Sequence, residues 1–296
     1  MIADDSGNVY GGGFYPSWAT GTFSSYFGTD TLIGGAGMIV STDTNGNYRW
    51  VANAGKVFVQ GLLYDHAGHI YAFGNAYGYA KIGTDSVGGV GLFCAKLNLN
   101  GTPVWIKIFS DLFCSIPGGN VGGIDGAGNI YLAGNFTYPS VIPGGHTVVN
   151  AGGSSATSDI ALLKTDSAGN VIWAKDIGGP GDEYPLGVAV STSGDVYLCG
   201  NYKSPALTMG SDVLSYPGWL SYPYFFTARY DSSGNPVWAR SIISRDIGCE
   251  VKRDSYRQCG ETCICCRRLP CKYGLRHRFI RHYHRRQPIF GFGTVR

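Results

Sequence analysis

Residues 121–136, VGGIDGAGNIYLAGNF, and residues 161–175, ALLKTDSAGNVIWAK, decide the fold of this chain. In both, apolar and polar residues alternate on either side of a D-x-x-G-N-like centre. Alternation with period two is the signature of a half-buried strand, and Gly beside Asn or Asp tolerates the left-handed backbone of a tight turn. Each stretch is therefore a β-hairpin by its local chemistry.

Working outward, both patterns recur. The first returns as IADDSGNVYGGGF (2–14), LLYDHAGHIYAFGN (62–75) and VAVSTSGDVYLCGNY (188–202), and the second as IVSTDTNGNYRWVA (39–52), CAKLNLNGTPVWIK (94–107) and TARYDSSGNPVWAR (227–240). They alternate strictly. Tyr10, Tyr71, Tyr131 and Tyr197 stand 61, 60 and 66 residues apart, and Trp50, Trp105, Trp173 and Trp238 stand 55, 68 and 65 apart. The repeating unit is thus about sixty residues and holds both hairpins, with approximate units at 2–58, 59–120, 121–185 and 186–248.

Two hairpins make a four-stranded antiparallel sheet. Inward alternation is read at Val196, Leu198 and Gly200 against Tyr197 and Cys199, and at Val237 and Ala239 against Trp238. One sheet of this size cannot cover both of its faces, so successive copies pack face to face, and radial stacking gives a β-propeller. A β-helix uses shorter coils, and a sandwich does not repeat at this period. The expected class is all-β, a partial propeller of about four four-stranded blades. One tryptophan per copy at a fixed place suits a bulky contact between blades, worth about 3 kcal/mol.

Composition agrees with this reading. The chain of 296 residues holds 46 Gly and 20 Tyr and is only 15% charged, which favours tight turns and pleated faces over long helices. Charge divides sharply: residues 1–248 carry 11 Lys and Arg against 17 Asp and Glu, and residues 249–296 carry 12 against 3. Cysteine divides at the same place. Cys94, Cys114 and Cys199 lie in the repeats, and the other six fall between Cys249 and Cys271. An odd, scattered trio is no disulfide framework. No apolar run is long enough to span a bilayer as a helix. The N-terminus has no basic and apolar leader, so no signal peptide is expected in this chain, and Met1 opens in the middle of a repeat.

The D-S-x-G-N-V-Y-x-x-G-x-F half followed by the K-x-D-x-x-G-N-x-x-W-A-K half resembles the SBBP (seven-bladed β-propeller) repeat proteins, common among secreted and surface proteins of Bacteroidetes-type bacteria. The resemblance covers nearly all of residues 2–248. It implies a propeller, export, and in many members a C-terminal sorting domain. It implies no chemistry and no catalytic residues. The chain departs from that pattern in having about four complete repeats, fewer than a ring of six to eight blades needs.

After Trp238-Ala239-Arg240 another copy of the first hairpin is due, and CICCRRLPC (263–271) stands in its place. Read one base later, the codons of Cys263 to Leu269 permit V-Y-A-A-G-D-F, which matches VYLCGNY at 196–202 in type. The displaced tyrosine falls on Ile264, 67 residues after Tyr197. The expectation is a frameshift between about Ser244 and Cys249, with 249–296 an out-of-frame tail lacking a stable fold and the chain a fragment of a longer propeller. Resequencing the DNA and finding no frame that carries the repeat sinks it.

That tail also sets the reading of its own motifs. Cys263, Cys265, Cys266 and Cys271 with His277, His282 and His284 are zinc-ligand types, but C-x-C-C-x4-C lacks paired C-x2-C spacing, and no metal site is expected. The Arg-rich run 267–286 has the charge of a nucleic-acid contact. Shifted codons yield Arg, Cys and His without selection, so no nucleic-acid partner is expected.

Within the repeats, Asp43-Thr44-Asn45-Gly46-Asn47 and Asp166-Ser167-Ala168-Gly169-Asn170 cluster oxygen ligands near a Gly but lack the calcium-loop spacing, and hairpin turns explain them. His66 and His69 flank a turn glycine and are read as solvated. Gly11-Gly12-Gly13 and Gly34-Gly35 precede no helix and cradle no phosphate. No nucleophile elbow or HExxH motif occurs. The best binding candidates are two aromatic-rich connections, FYPSWATGTFSSYF (14–27) and SYPGWLSYPYFF (215–226), in which Tyr15, Trp18, Tyr216, Trp219 and Tyr222 can stack on sugar rings or anchor a protein. The alternative is that they pack against neighbouring blades.

The expected function is a non-catalytic propeller scaffold or binding module of an exported bacterial protein, extracellular or on the cell surface. A glycan or a surface protein and the missing blades of the same parent are the expected partners, with no cofactor and no membrane span. The alternative is a propeller enzyme acting on glycans or using a quinone. Its mark would be a convergent carboxylate pair or a cofactor-sized central pocket.

Overall fold

Five of the repeat hairpins start from one local network. Asp125 accepts hydrogen bonds through Oδ1 from the backbone N–H groups of Ala127 and Asn129, at 3.0 and 2.9 Å, and through Oδ2 from Asn129 Nδ2 at 2.8 Å. The Gly128 N–H meets the Asp125 carbonyl, and Gly128 takes φ +80°, a conformation that disfavours any residue with a Cβ. The same set of bonds recurs at Asp4/Asn8, Asp43/Asn47, Asp166/Asn170 and Asp231/Asn235. Both carboxylate oxygens are thus occupied by their own turn, which is why these loops are hairpin turns.

The computed structural model describes residues 1–14, 24–28, 30–33, 37–114, 120–138, 140–142, 144–153, 157–216 and 223–242. All of these lie in one compact unit, Met1–Val251; the second unit, Lys252–Arg296, with its cysteine and histidine cluster and arginine run, lies outside the described residues. The fold is all-β. Among the described residues there is no helix, and so none long and apolar enough to cross a membrane.

Repeat 1 is built from β1 (Ile2–Ala3), β2 (Val9–Phe14), β5 (Gly37–Thr42) and the first half of β6 (Tyr48–Tyr64), with a small hairpin of β3 (Ser24–Phe27) and β4 (Asp30–Ile33) inserted between its second and third strands. Repeat 2 follows as the second half of β6, β7 (His69–Ile82), β8 (Asp85–Asn98) and β9 (Pro103–Ser110). Repeat 3 has β10 (Gly122–Ile124), β11 (Ile130–Phe136), β14 (Asp159–Thr165) and β15 (Val171–Ile177), with the inserted pair β12 (Ser140–Ile142) and β13 (His146–Val148). Repeat 4 has β16 (Glu183–Val190), β17 (Val196–Tyr202), β20 (Tyr224–Tyr230) and β21 (Pro236–Ile242), with β18 (Ala206–Met209) and β19 (Asp212–Ser215) inserted. Each repeat is an antiparallel meander in chain order.

Two features depart from the sequence reading. The boundary expected between residues 58 and 59 falls inside β6, which runs through both repeats and joins them into one curled seven-stranded sheet. Register shifts at Gly55/Val57 and Val59/Gly61 bend that strand, so it serves two meanders without a loop. The inserted hairpin of repeat 2 is likewise no separate element: β7 and β8 stay paired from His69↔Asn98 to Ile82↔Asp85.

The second departure is Val237, expected to face inward beside Ala239. It is 48% exposed, and Ala239 is buried. In every repeat the register between the last two strands slips one residue beside the turn, at Ser41/Thr42, Lys96/Leu97, Lys164/Thr165 and Arg229/Tyr230. The bulge leaves Arg49, Val104, Ile172 and Val237 out of the strand ladder and exposed, with the Arg49 guanidinium folded back to donate to the Tyr10 hydroxyl and Ser41 Oγ, so simple alternation fails at that one position.

Candidate functional site

The recurrent tyrosines and tryptophans sit in one cross-strand row per repeat. Tyr131 pairs with Lys164, and Lys164 with Trp173; Tyr71, Lys96 and Trp105 repeat this, as do Tyr10, Ser41 and Trp50, and Tyr197, Arg229 and Trp238. Residues in one row share a face of the sheet. We call it the forward face, because its tryptophan reaches the next repeat.

That reach has a fixed partner. Trp50 Nε1 donates to the Leu99 carbonyl at 2.9 Å, Trp105 Nε1 to the Ser167 carbonyl at 3.1 Å, and Trp173 Nε1 to the Ser232 carbonyl at 3.2 Å. Each acceptor is the second residue of the last hairpin turn of the following repeat. Lys164 Nζ adds a second donor to the Ser232 carbonyl at 3.1 Å. The glycine of the same turn lies against the indole: a Cβ built on Gly101, Gly169 or Gly234 would come within 2.9, 3.1 and 3.1 Å of the rings of Trp50, Trp105 and Trp173. Gly is needed there twice, for φ near +80° and for this close approach.

Behind each indole stands the tyrosine of its own repeat, with ring centroids 5.9 Å apart for Tyr10 and Trp50, 6.0 Å for Tyr71 and Trp105, and 5.9 Å for Tyr131 and Trp173. Lys96 and Lys164 lie 5.2 and 5.1 Å from the centroids of Tyr71 and Tyr131. The Tyr10 and Tyr131 hydroxyls donate to Asp4 and Asp125 at 2.8 and 3.0 Å. In repeat 2, His69 occupies the turn position of Asn129, with its Nδ1 2.9 Å from Asp65 Oδ2, and the Tyr71 ring is fully buried behind that turn. His69 is therefore a turn-closing residue and only His66 is solvated, at 74% side-chain exposure.

Charge follows the same repeat-to-repeat rule. Lys107 Nζ donates to the Gly169 carbonyl at 2.7 Å and to Asn170 Oδ1 at 3.1 Å, and its charge adds to the Asn170 N–H and side-chain bonds that hold Asp166 below its usual value. Asp231 is held below its usual value first by the Asn235 N–H and side chain, with the Lys175 charge adding to the effect. Where the turn carries the neutral Asn98, the preceding repeat has Ala52 in the lysine's place.

Of the five aromatic residues expected to bind, Tyr15, Trp18, Trp219 and Tyr222 lie outside the described residues. Tyr216 is half-buried and packs edge-on against Tyr224 at 4.7 Å and near Tyr202 at 6.4 Å, within a cluster that includes Phe226. Its ring is part of the packing of repeat 4.

The two carboxylates that burial singles out are Asp159 and Glu183, both fully buried. Asp159 Oδ2 accepts from the Ala151 N–H, Oδ1 has no partner, and burial pushes its pKa up to about 6, with Glu183, Asp176 and Asp182 adding to the rise. Glu183 accepts from the Gly179 and Ser204 N–H groups at 2.9 and 3.1 Å. These groups tie loops together from inside. Burial also raises Cys94 and Cys114 to about 12, so both stay protonated thiols. No group of three or more metal-ligating side chains occurs among the described residues.

No family model matches the chain. It is 28% identical over 111 residues to the Regulatory protein FlaEY of Caulobacter vibrioides, covering 38% of this chain and 11% of that protein. It is 26% identical over 171 residues to the Uncharacterized WD repeat-containing protein L264 of Acanthamoeba polyphaga mimivirus, covering 50% of this chain and 12% of that protein. The chain thus spans about an eighth or less of the length of these relatives.

Proposed function

We propose that residues 2–242 are four blades of a β-propeller of the SBBP type that serves an exported bacterial protein as a non-catalytic scaffold or binding module. The observation that carries this reading is the tryptophan latch. One contact made three times in succession with equivalent partners imposes the same step from repeat to repeat, and a constant step about one axis generates a radial array. The likeness of part of the chain to a WD repeat-containing protein supports the same architecture.

A binding role follows from where variation is placed. The meanders are nearly constant, and the inserted hairpins differ in length and composition from repeat to repeat, so a rigid array presents variable loops to a glycan or a surface protein. Solution scattering on the 296-residue chain tests the architecture: an arc of wedge-shaped units is expected, and a straight rod or a two-sheet sandwich overturns it. Glycan-array binding without turnover of aryl glycosides tests the module. Turnover would favour the enzyme reading.

A further inference from the structure

Among the described repeats, the first and the last each lack what the other offers. At the forward end, Trp238 and Arg229 hold the positions of Trp173 and Lys164, yet among the described residues no carbonyl of another repeat accepts from them; Arg229 pairs through one terminal nitrogen with Asp195 at 2.9 Å, and its Nε is buried without a partner. Tyr197, Thr227 and Phe225 are half-exposed there, whereas their counterparts Tyr131, Leu162 and Ile160 are fully buried.

At the rear end, the last turn of repeat 1 is Asp43-Thr44-Asn45-Gly46. Gly46 has the φ of its counterparts, +81°, and nothing within 4 Å of its Cβ position, where Gly101, Gly169 and Gly234 each have an indole. On the rear face Val9, Met38 and Val40 are half-exposed, and the corresponding Ile70, Phe93 and Ala95 are fully buried. The ends also match in charge. A lysine of the preceding repeat faces the Asp166 and Asp231 turns, and Arg240, at the position of Lys107 and Lys175, is the cation for one more; Asp43 is an exposed Asp turn of the same kind. Arg240 presently reaches Asp212 at 3.0 Å on the surface.

We propose that the forward face of repeat 4 in one copy docks on the rear face of repeat 1 in a second copy, with Trp238 Nε1 and Arg229 donating to the Thr44 carbonyl, the indole on Gly46, and Arg240 facing Asp43. The interface is head-to-tail, so each copy has one of each end and association closes as a ring or continues as a chain. This argument stands on the unlatched ends and holds whether or not the array is a propeller.

The test uses the whole chain in sedimentation velocity. Wild-type protein is expected to self-associate with rising concentration. Trp238→Ala and Val40→Glu each weaken that association by about tenfold or more, because each disables one end. Mixing the two variants restores a one-to-one pair, since the intact rear face of the first meets the intact forward face of the second. A face that paired with itself would not be restored by mixing, and that result overturns the proposal, as does a wild-type protein that stays monomeric up to about 500 μM. If Trp238→Ala melts earlier than wild type, Arg240→Glu replaces it. Paired with Asp43→Lys on the partner, it must regain association that either charge reversal alone loses.

Discussion

Trp173 and Trp238 occupy the same place in their repeats, on the same strand and row, with the same bulge beside them. Trp173 has a carbonyl, a glycine and a stacked tyrosine to complete it; among the described residues Trp238 forms no such hydrogen bond, and its row ends on a half-exposed Tyr197. The contrast separates two jobs that sequence similarity merges. Pairing within the meander fixes where the side chain points, and a neighbouring repeat decides whether it stabilises anything.

The largest expected effect breaks that comparison directly. Trp173→Ala removes an indole from a filled junction and should cost about 3 kcal/mol in urea denaturation of dilute monomer, whereas Trp238→Ala should cost less than about 1 kcal/mol. Equal losses would mean that the latch between repeats contributes nothing beyond the meander.

The turn glycines give the next effect. Both Gly169→Ala and Gly46→Ala place a Cβ at φ near +80°, a strain of about 1 kcal/mol. Gly169→Ala also drives that Cβ into the Lys107 side chain at 3.0 Å and the Trp105 ring at 3.1 Å. It should destabilise by about 2 kcal/mol against about 1 for Gly46→Ala in monomer, measured by the shift in urea midpoint.

Asp159 sharpens the comparison from within, since it is buried in repeat 3 and its raised pKa is a property of that enclosure. The folded protein holds this proton up to about pH 6 while the unfolded chain releases it near pH 4, so the stability it adds is complete below about pH 4 and lost as pH rises through 6. Asp159→Asn should therefore raise stability at pH 7 and leave it unchanged at pH 4, read from melting curves at the two pH values. The turn carboxylates run the opposite way. Asp43, held down first by the Asn47 side chain, and Asp231, held down first by the Asn235 N–H, favour folding while ionised, and that contribution is lost as pH falls below about 4. Repeat 4 uses Ser191 in its first turn, where the Asp195 N–H donates to Oγ. Amide exchange at residues 193–195 should respond less to acid than at 127–129, the smallest effect of the set.

What was legible in the sequence was the local part. Hairpins, their turns and the period follow from alternation and from Asp, Gly and Asn within a few residues of one another. The bulge that exposes Val237 and Ile172 was not legible, because a one-residue slip changes pairing without changing composition. The continuity of β6 was hidden for a similar reason: two bulges bend the strand where a loop was expected. The aromatic connections were readable as candidates, and of the five residues singled out in them the one described, Tyr216, packs against its neighbours Tyr202 and Tyr224.

The chain's own chemistry determines the repeat, because each hairpin closes through bonds that span four residues or fewer around its turn. Tertiary structure alone decides the latch. Its acceptors are main-chain carbonyls of Leu99, Ser167 and Ser232, 49 to 62 residues from their tryptophans, and a carbonyl is common to every residue type. An acceptor without a side-chain signature leaves no mark in sequence, so which tryptophans are completed appears only once the repeats are packed.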